Sequence, residues 1–188
     1  MRPGTPSGEG VKFALLTPDR DFEFAVGVVD PDNQAYGLRQ RVLFRERLHV
    51  VARSQHPLTQ QTTVDLDDLV RYPWVSPTTG WRNTALEHIL EPAGLTLQHR
   101  VTVCSSVSLL KSLVADSDHL ALLPAHAVQP ELEVGTLCML PVQRKDLERS
   151  IAVFLREGTT ISPKGEGLLS LIREQGRLRY DRELAEAV

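Results

Sequence analysis

Small hydroxyl-bearing residues gather in two short segments of the sequence, and these segments are the first candidates for chemistry. Residues 76–80 read Ser-Pro-Thr-Thr-Gly and residues 104–106 read Cys-Ser-Ser. Each segment follows a strand-like apolar run and precedes a helical pattern. In open α/β sheets, ligands bind at the carboxyl ends of strands, where helix N–H groups favour an anion and hydroxyls add donors. The same residue types are also ordinary helix caps, so both interpretations stay open.

Sequence motifs for catalysis or cofactor binding are missing. The chain contains neither GxGxxG nor GxxxxGK[ST], the glycine turns that hold nucleotide phosphates. Ser105 and Ser106 do not lie in GxSxG, no HExxH occurs, and no histidine is followed by a second one at i+3 or i+4. Asp116-Ser117-Asp118 lacks the ligand spacing of a calcium loop and is better explained as a turn. We therefore expect no enzyme activity, no cofactor and no metal site.

Charge and composition indicate a globular protein that does not grip nucleic acid by itself. Lys and Arg number 21 against 24 Asp and Glu, which gives a net charge of -3. A chain that bound DNA phosphates alone would be expected to carry a basic excess. No apolar run approaches the ~20 residues that span a bilayer, and residues 1–10 lack an apolar signal core, which predicts a cytoplasmic location. Cys104 and Cys138 are predicted to be buried, reduced thiols.

Alternating strand and helix patterns predict an α/β fold with largely parallel sheets. Residues 22–29 form a dense apolar run that predicts a buried strand. A helix is predicted from Ser105 or Ser106 to Ala115, and its apolar stripe could pack in the core or against a partner. The final helix opens at Ser162-Pro163 and is predicted to end at Gly176, before a charged tail. Other strands are predicted at 38–44, 48–53, 73–76, 97–104, 119–123, 132–140 and 151–156, and other helices at 64–69 and 81–93.

Six segments, in order, resemble the effector-sensing domain of LysR-type bacterial transcription regulators. FEFAVG at 22–27 is similar to that family's LDFAIG strand, and LFRERLHVVARSQHPL at 43–58 resembles its passage between lobes. The segments at 64–76 and 87–114 follow, then DHLALLPAHAV at 118–128, similar to GIALLP, and IAVFLREGTTISP at 151–163. The chain departs from the family at the glycine-rich turn before GIALLP, which here reads Asp116-Ser117-Asp118-His119.

The resemblance implies a two-lobed, type 2 periplasmic-binding-protein-like fold. Its first lobe is expected to be incomplete, because the family's opening strand and helix of that lobe have no counterpart in the sequence. The family's winged helix-turn-helix has no counterpart either. We expect a flexible lead-in at 1–12, a partial lobe one at 13–47 and 138–176, lobe two at 48–137, and a charged tail at 177–188.

The resemblance also implies a function and a set of contacts. A small carboxylate, aromatic acid or sugar would bind in a cleft between the lobes and control transcription. A homo-oligomer is expected, with no membrane contact and with DNA bound only through an N-terminal domain absent from this chain. A free-standing solute-binding protein and an enzyme on the same fold stay open as alternatives. The candidate effector contacts, carried over by position, are Ser76, Thr78, Thr79, Gly80, Cys104, Ser105, Ser106, Gly27 and Val28.

Overall fold

The computed structural model describes residues 22–29, 38–77, 85–144 and 147–186. The chain forms two units, one comprising the residues up to Arg47 and from Glu148 onward, and the other comprising Leu48–Leu147. The predicted second boundary, at residue 137, falls earlier than the structural one. The reason is that Leu137 begins a strand that pairs inside the second unit.

Strands and short helices alternate along the described residues. The strands are β1 (Ala25–Val28), β2 (Leu38–Arg47), β3 (His49–Arg53), β4 (Val75–Ser76), β5 (Thr102–Val103), β6 (Ala121–Leu123), β7 (Leu137–Met139) and β8 (Glu148–Arg156). The helices are α1 (Leu66–Leu69), α2 (Ala85–Leu90), α3 (Val107–Ala115), α4 (Ala125–Glu133) and α5 (Pro163–Glu186), with a 3-10 turn at Pro57–Gln60. Helix α4 was not predicted, because Pro130 inside it is a residue that normally breaks helices.

The first unit is an antiparallel sheet with one long helix on it. Strand β8 lies between β1 and β2, and a register shift between Val42 and Phe44 bends β2. Helix α5 places the buried Leu169 against Val153 and Leu155 of β8. Strand β1 is not the buried strand that its composition predicted, because Val26 and Val28 are 37% and 46% exposed.

Helix α5 continues past the predicted end at Gly176 and reaches Glu186, so the frayed tail was a wrong prediction. A Cβ at Gly176 would overlap the ring of Phe44 on β2. The glycine therefore permits close approach of the helix to the sheet and is not a cap. Beyond it, the Tyr180 hydroxyl donates to the carboxylate of Glu148 at 2.7 Å, which ties the last turns to the start of β8.

The second unit carries the two predicted ligand segments. Strand β3 pairs antiparallel with β6 and β7, while β4 and β5 form a parallel pair. Trp74 also makes a parallel bridge to Leu120, just before β6. The prediction of largely parallel sheets was wrong for the described residues, in which every named strand pair except β4–β5 is antiparallel. The alternating pattern misled because most paired strands, such as β1 and β8, are far apart in the chain, and the alternation does not fix their relative direction.

The second unit has a hydrophobic cluster on each face of β3. Val50 belongs to one cluster and Val51 to the other, because successive side chains of a strand point to opposite faces. Helix α3 buries Leu110 and Val114 in the second cluster, but its Leu109 is 63% exposed. The predicted apolar stripe therefore divides between a core face and an exposed residue.

Candidate functional site

Strands β4 and β5 end side by side, because they are parallel neighbours in register. Ser76 lies opposite Val103, and the N–H of Cys104 donates to the carbonyl of Ser76 at 2.9 Å. Ser76 is buried, whereas Cys104 is half-buried. The described residues of the two segments singled out in the sequence thus meet at one edge of the second unit.

Helix α3 begins directly after this edge, at Val107. Ser106 is its N-cap: the Oγ atom accepts from the N–H of Leu109 at 3.4 Å, and its carbonyl accepts from the N–H of Leu110 at 2.9 Å. Ser105, one residue earlier, is exposed. The N–H groups of a first helical turn have no acceptor within the helix, and no acidic residue stands in this one to oppose an anion.

Apolar side chains border the hydroxyl groups. Val103 and Val107, on either side of Cys104–Ser106, are 44% and 43% exposed. Hydroxyl donors beside exposed valines can accommodate a small molecule that combines a polar or anionic group with an apolar portion. We refer to Ser76 and Cys104–Ser106 together with these valines as the β4–β5 edge.

The β4–β5 edge, as defined, does not include the remaining predicted contacts. Thr78, Thr79 and Gly80 lie outside the described residues. Gly27 and Val28 belong to β1 of the other unit, where Gly27 is half-buried and Val28 is exposed. Their contribution stays a prediction.

Both thiol groups lie in the second unit. Both cysteines are free and half-buried rather than fully buried as predicted. Burial raises the pKa of the Cys138 thiol, which disfavours the thiolate. Across the residues that the structure describes, no three His, Cys, Asp or Glu side chains group as metal ligands. No described helix is long and apolar enough to cross a membrane.

Sequence reasoning missed the polar connections of the turn after α3. Ser117 Oγ donates to the carbonyl of Leu113 at 2.6 Å, and Asp118 accepts from Nε and Nη2 of Arg53 at 3.0 and 2.8 Å. The available signal was the departure of residues 116–119 from the family's glycine-rich turn.

A second missed residue, His56, is fully buried at the start of the 3-10 turn. Its Nδ1 accepts from the N–H of Leu58 at 3.2 Å, and its ring centroid lies 4.5 Å from that of Tyr72. Burial lowers the pKa of His56, against the opposing effect of Asp118. The neutral His56 ring therefore has a structural role at the start of the 3-10 turn.

The chain is similar to one known protein family and to two transcriptional regulators. The family described as LysR substrate binding domain matches residues 16–177. The HTH-type transcriptional regulator GalR of Pseudomonas putida is 30% identical over 155 residues, which cover 82% of this chain and 39% of that protein. YdcI of Escherichia coli, an uncharacterised HTH-type transcriptional regulator, is 26% identical and is covered over 50% of its length. The chain thus spans half or less of the length of these relatives.

Solved structures agree in fold. The CcmR regulatory domain of Synechocystis in complex with 2-PG has a TM-score of 0.70 at 16% identity, covering 90% of this chain and 80% of that one. The effector binding domain of QuiR in complex with shikimate has a TM-score of 0.66 at 18% identity, covering 94% and 79%. The α/β fold is therefore that of LysR regulatory domains, which is type 2 periplasmic-binding-protein-like.

Proposed function

Because the chain belongs to the LysR substrate-binding domain family, we propose that it senses a small effector at the β4–β5 edge and so controls transcription. The observation that carries this proposal is the meeting of Ser76 with Cys104–Ser106 at the carboxyl ends of two parallel strands, in front of a helix N-terminus. That arrangement offers N–H and hydroxyl donors to an anion.

The chemistry of the edge favours a small carboxylate, an aromatic acid or a sugar acid. The carboxylate would face the first turn of α3, and the hydroxyls would donate to it or to ring hydroxyls. Val103 and Val107 would contact the carbon skeleton. The domains of similar fold that hold shikimate and 2-PG support this size and charge. Thr78, Thr79 and Gly80, with Gly27 and Val28, are proposed as further contacts.

The regulatory role involves more than this chain. The relatives are named as HTH-type regulators, so we propose that a helix-turn-helix segment makes the DNA contacts. The net charge of -3 supports the proposal that this chain does not itself contact DNA. We also propose a homo-oligomer, a cytoplasmic location and a non-enzymatic domain, in line with relatives that act as transcriptional regulators.

Calorimetric titration with shikimate, benzoate and glucose tests the proposal. If shikimate or benzoate binds, Ser105→Val and Thr78→Val should each weaken its binding by roughly ten- to a hundred-fold, the loss of one hydrogen bond to a charged group. Ser112→Val is the matched control, because Ser112 is an exposed serine of the same helix whose Oγ donates to the carbonyl of Ser108. Equal affinity in all three variants would refute the placement, and turnover of a probe would favour the enzyme alternative.

A further inference from the structure

His119 connects the two elements that carry the β4–β5 edge. Its Nδ1 lies 2.9 Å from Ser117 Oγ, and its Nε2 lies 3.4 Å from Oγ1 of Thr102. Thr102 begins β5, immediately before Val103 and Cys104. Ser117 in turn bonds the carbonyl of Leu113 in helix α3. The ring therefore lies between the strand that leads to Cys104 and the far end of the helix that Ser106 caps.

The direction of each hydrogen bond in this set of contacts follows from the number of protons that each group carries. A serine hydroxyl has one proton, and Ser117 directs it to the carbonyl of Leu113 at 2.6 Å. Ser117 Oγ must then accept from His119, which places a proton on Nδ1. In a neutral imidazole the other nitrogen is an acceptor, so Nε2 accepts the hydroxyl proton of Thr102. The contacts thus assign the neutral ring with its proton on Nδ1.

We propose that neutral His119 is a positioning residue for the β4–β5 edge, and that effector binding there weakens when this ring takes up a proton. The inference rests on the proposed function, which supplies the effector. The mechanism rests on the turn at residues 116–119 of this chain. Where the family has a glycine-rich turn, the chain has Ser117-Asp118-His119, whose side chains contact β3, β5 and α3.

Protonation changes the link in a defined way. Nε2 becomes a donor, so the hydroxyl of Thr102 must turn and accept from the charged ring. The charged groups that face the ring are Asp118, which favours the proton, and His99, which opposes it. His99 is itself held through Nε2 to the carbonyl of Arg71 at 3.0 Å.

The direction of the pH effect follows from burial. Burial is the largest influence and lowers the pKa of His119 below its ordinary 6.5. A histidine with a lowered pKa in the folded state is neutral above 6.5, and its contribution is lost as the pH falls through the folded pKa. The link made by the neutral ring is therefore present at neutral pH, and in acid it is replaced by the contact of a charged ring that the buried surroundings disfavour.

Hydrogen–deuterium exchange tests the link without any effector. The reporter amides are Cys104 N–H, bonded to Ser76, and Leu110 N–H, bonded to Ser106. From pH ~7.5 to ~5.5, a histidine range, their exchange corrected for intrinsic rate should rise on the order of two- to ten-fold, as expected for one hydrogen bond. In His119→Gln, whose amide reaches the position of Nε2, the profile should be flat.

Controls separate the link from general loss of stability. His126→Gln changes an exposed histidine on α4 and should keep the wild-type profile. The amide of Leu140, bonded to the carbonyl of Val50, reports on the core of the same unit, where buried His56 also titrates. Equal acceleration at Leu140 and Cys104, or a flat wild-type profile, would overturn the positioning role.

Calorimetry with shikimate supplies the second arm. Wild-type affinity should fall by a similar factor across the same pH range, and His119→Gln affinity should not change with pH. A pH-independent wild-type affinity alongside a positive exchange result would overturn the coupling to binding. If shikimate does not bind at either pH, the proposed function fails for that probe, and the exchange profile still decides whether His119 positions the edge.

Discussion

Replacement of Ser106 separates the two roles that its hydroxyl could have. As N-cap, Oγ accepts from the N–H of Leu109, and as an effector contact the same hydroxyl would donate its proton to an anion. Ser106→Val removes both functions. Ser106→Asp keeps a good capping acceptor but adds a negative charge in front of the helix N-terminus.

The expected magnitudes of the two losses differ. Loss of the cap costs about 1 kcal/mol of stability, or roughly 2–4 °C in Tm for a chain of this size. Loss of a hydrogen bond to a charged effector costs about 1.5–3 kcal/mol, or roughly ten- to a hundred-fold in Kd. Ser106→Asp should keep or slightly raise the Tm, since a negative charge suits a helix N-terminus, and should nevertheless abolish binding of a carboxylate.

Thermal unfolding and calorimetry on the same preparations measure both quantities. Ser112→Ala, in the middle of α3, controls for loss of a serine hydroxyl away from the edge. A lower Tm with unchanged affinity in Ser106→Val would show that Ser106 is only a cap. Wild-type carboxylate affinity in Ser106→Asp would refute the proposed placement of the anion.

Other predictions concern DNA binding, assembly, packing of the core and pH. The chain alone should not shift an operator duplex at physiological salt, and a specific, salt-sensitive complex would contradict the inference from its charge. Leu109→Asp should lower the mass of any homo-oligomer in light scattering, whereas a wild-type chain that is strictly monomeric at high concentration would refute the oligomer. Leu110→Ala, in the core, should cost about 2–5 kcal/mol of stability. Because burial lowers the pKa of His56, the free energy of unfolding should fall as pH drops below its ordinary 6.5, and less so in His56→Gln; parallel urea-denaturation profiles would argue against this.

The fold was predictable where local pattern and burial agree. Helix α3 ends at Ala115 as expected, because Leu110 and Val114 repeat at helical spacing and are both buried. Gly94 was predicted to follow a helix, and it adopts a φ of 68° after α2 ends at Leu90. Pattern failed where tertiary contacts decide, as at Gly176, whose lack of a side chain is required by the ring of Phe44.

The β4–β5 edge was predictable only as two separate segments. Strand-like runs before Ser76 and Cys104 indicated two carboxyl ends, but the sequence did not show that β4 and β5 are neighbours in parallel register. Caps and ligand contacts also use the same small hydroxyl residues, so residue type alone cannot separate them. That ambiguity is physical: one Ser106 hydroxyl can accept from the helix and donate to an effector at the same time.

The turn at 116–119 departs from the family's glycine-rich pattern, and its backbone angles explain why that departure is possible. A glycine-rich turn permits positive φ angles, but no residue of this turn has one among the described residues, and the positive φ angles belong to Gly94, Gly135 and Gly158. The backbone here therefore does not require glycine, and side chains can be added without strain. Those side chains reach Leu113, Arg53 and Thr102, so the turn joins α3, β3 and β5 by hydrogen bonds. A connection of this kind makes the geometry of the edge depend on the protonation of one ring, which a glycine turn could not do.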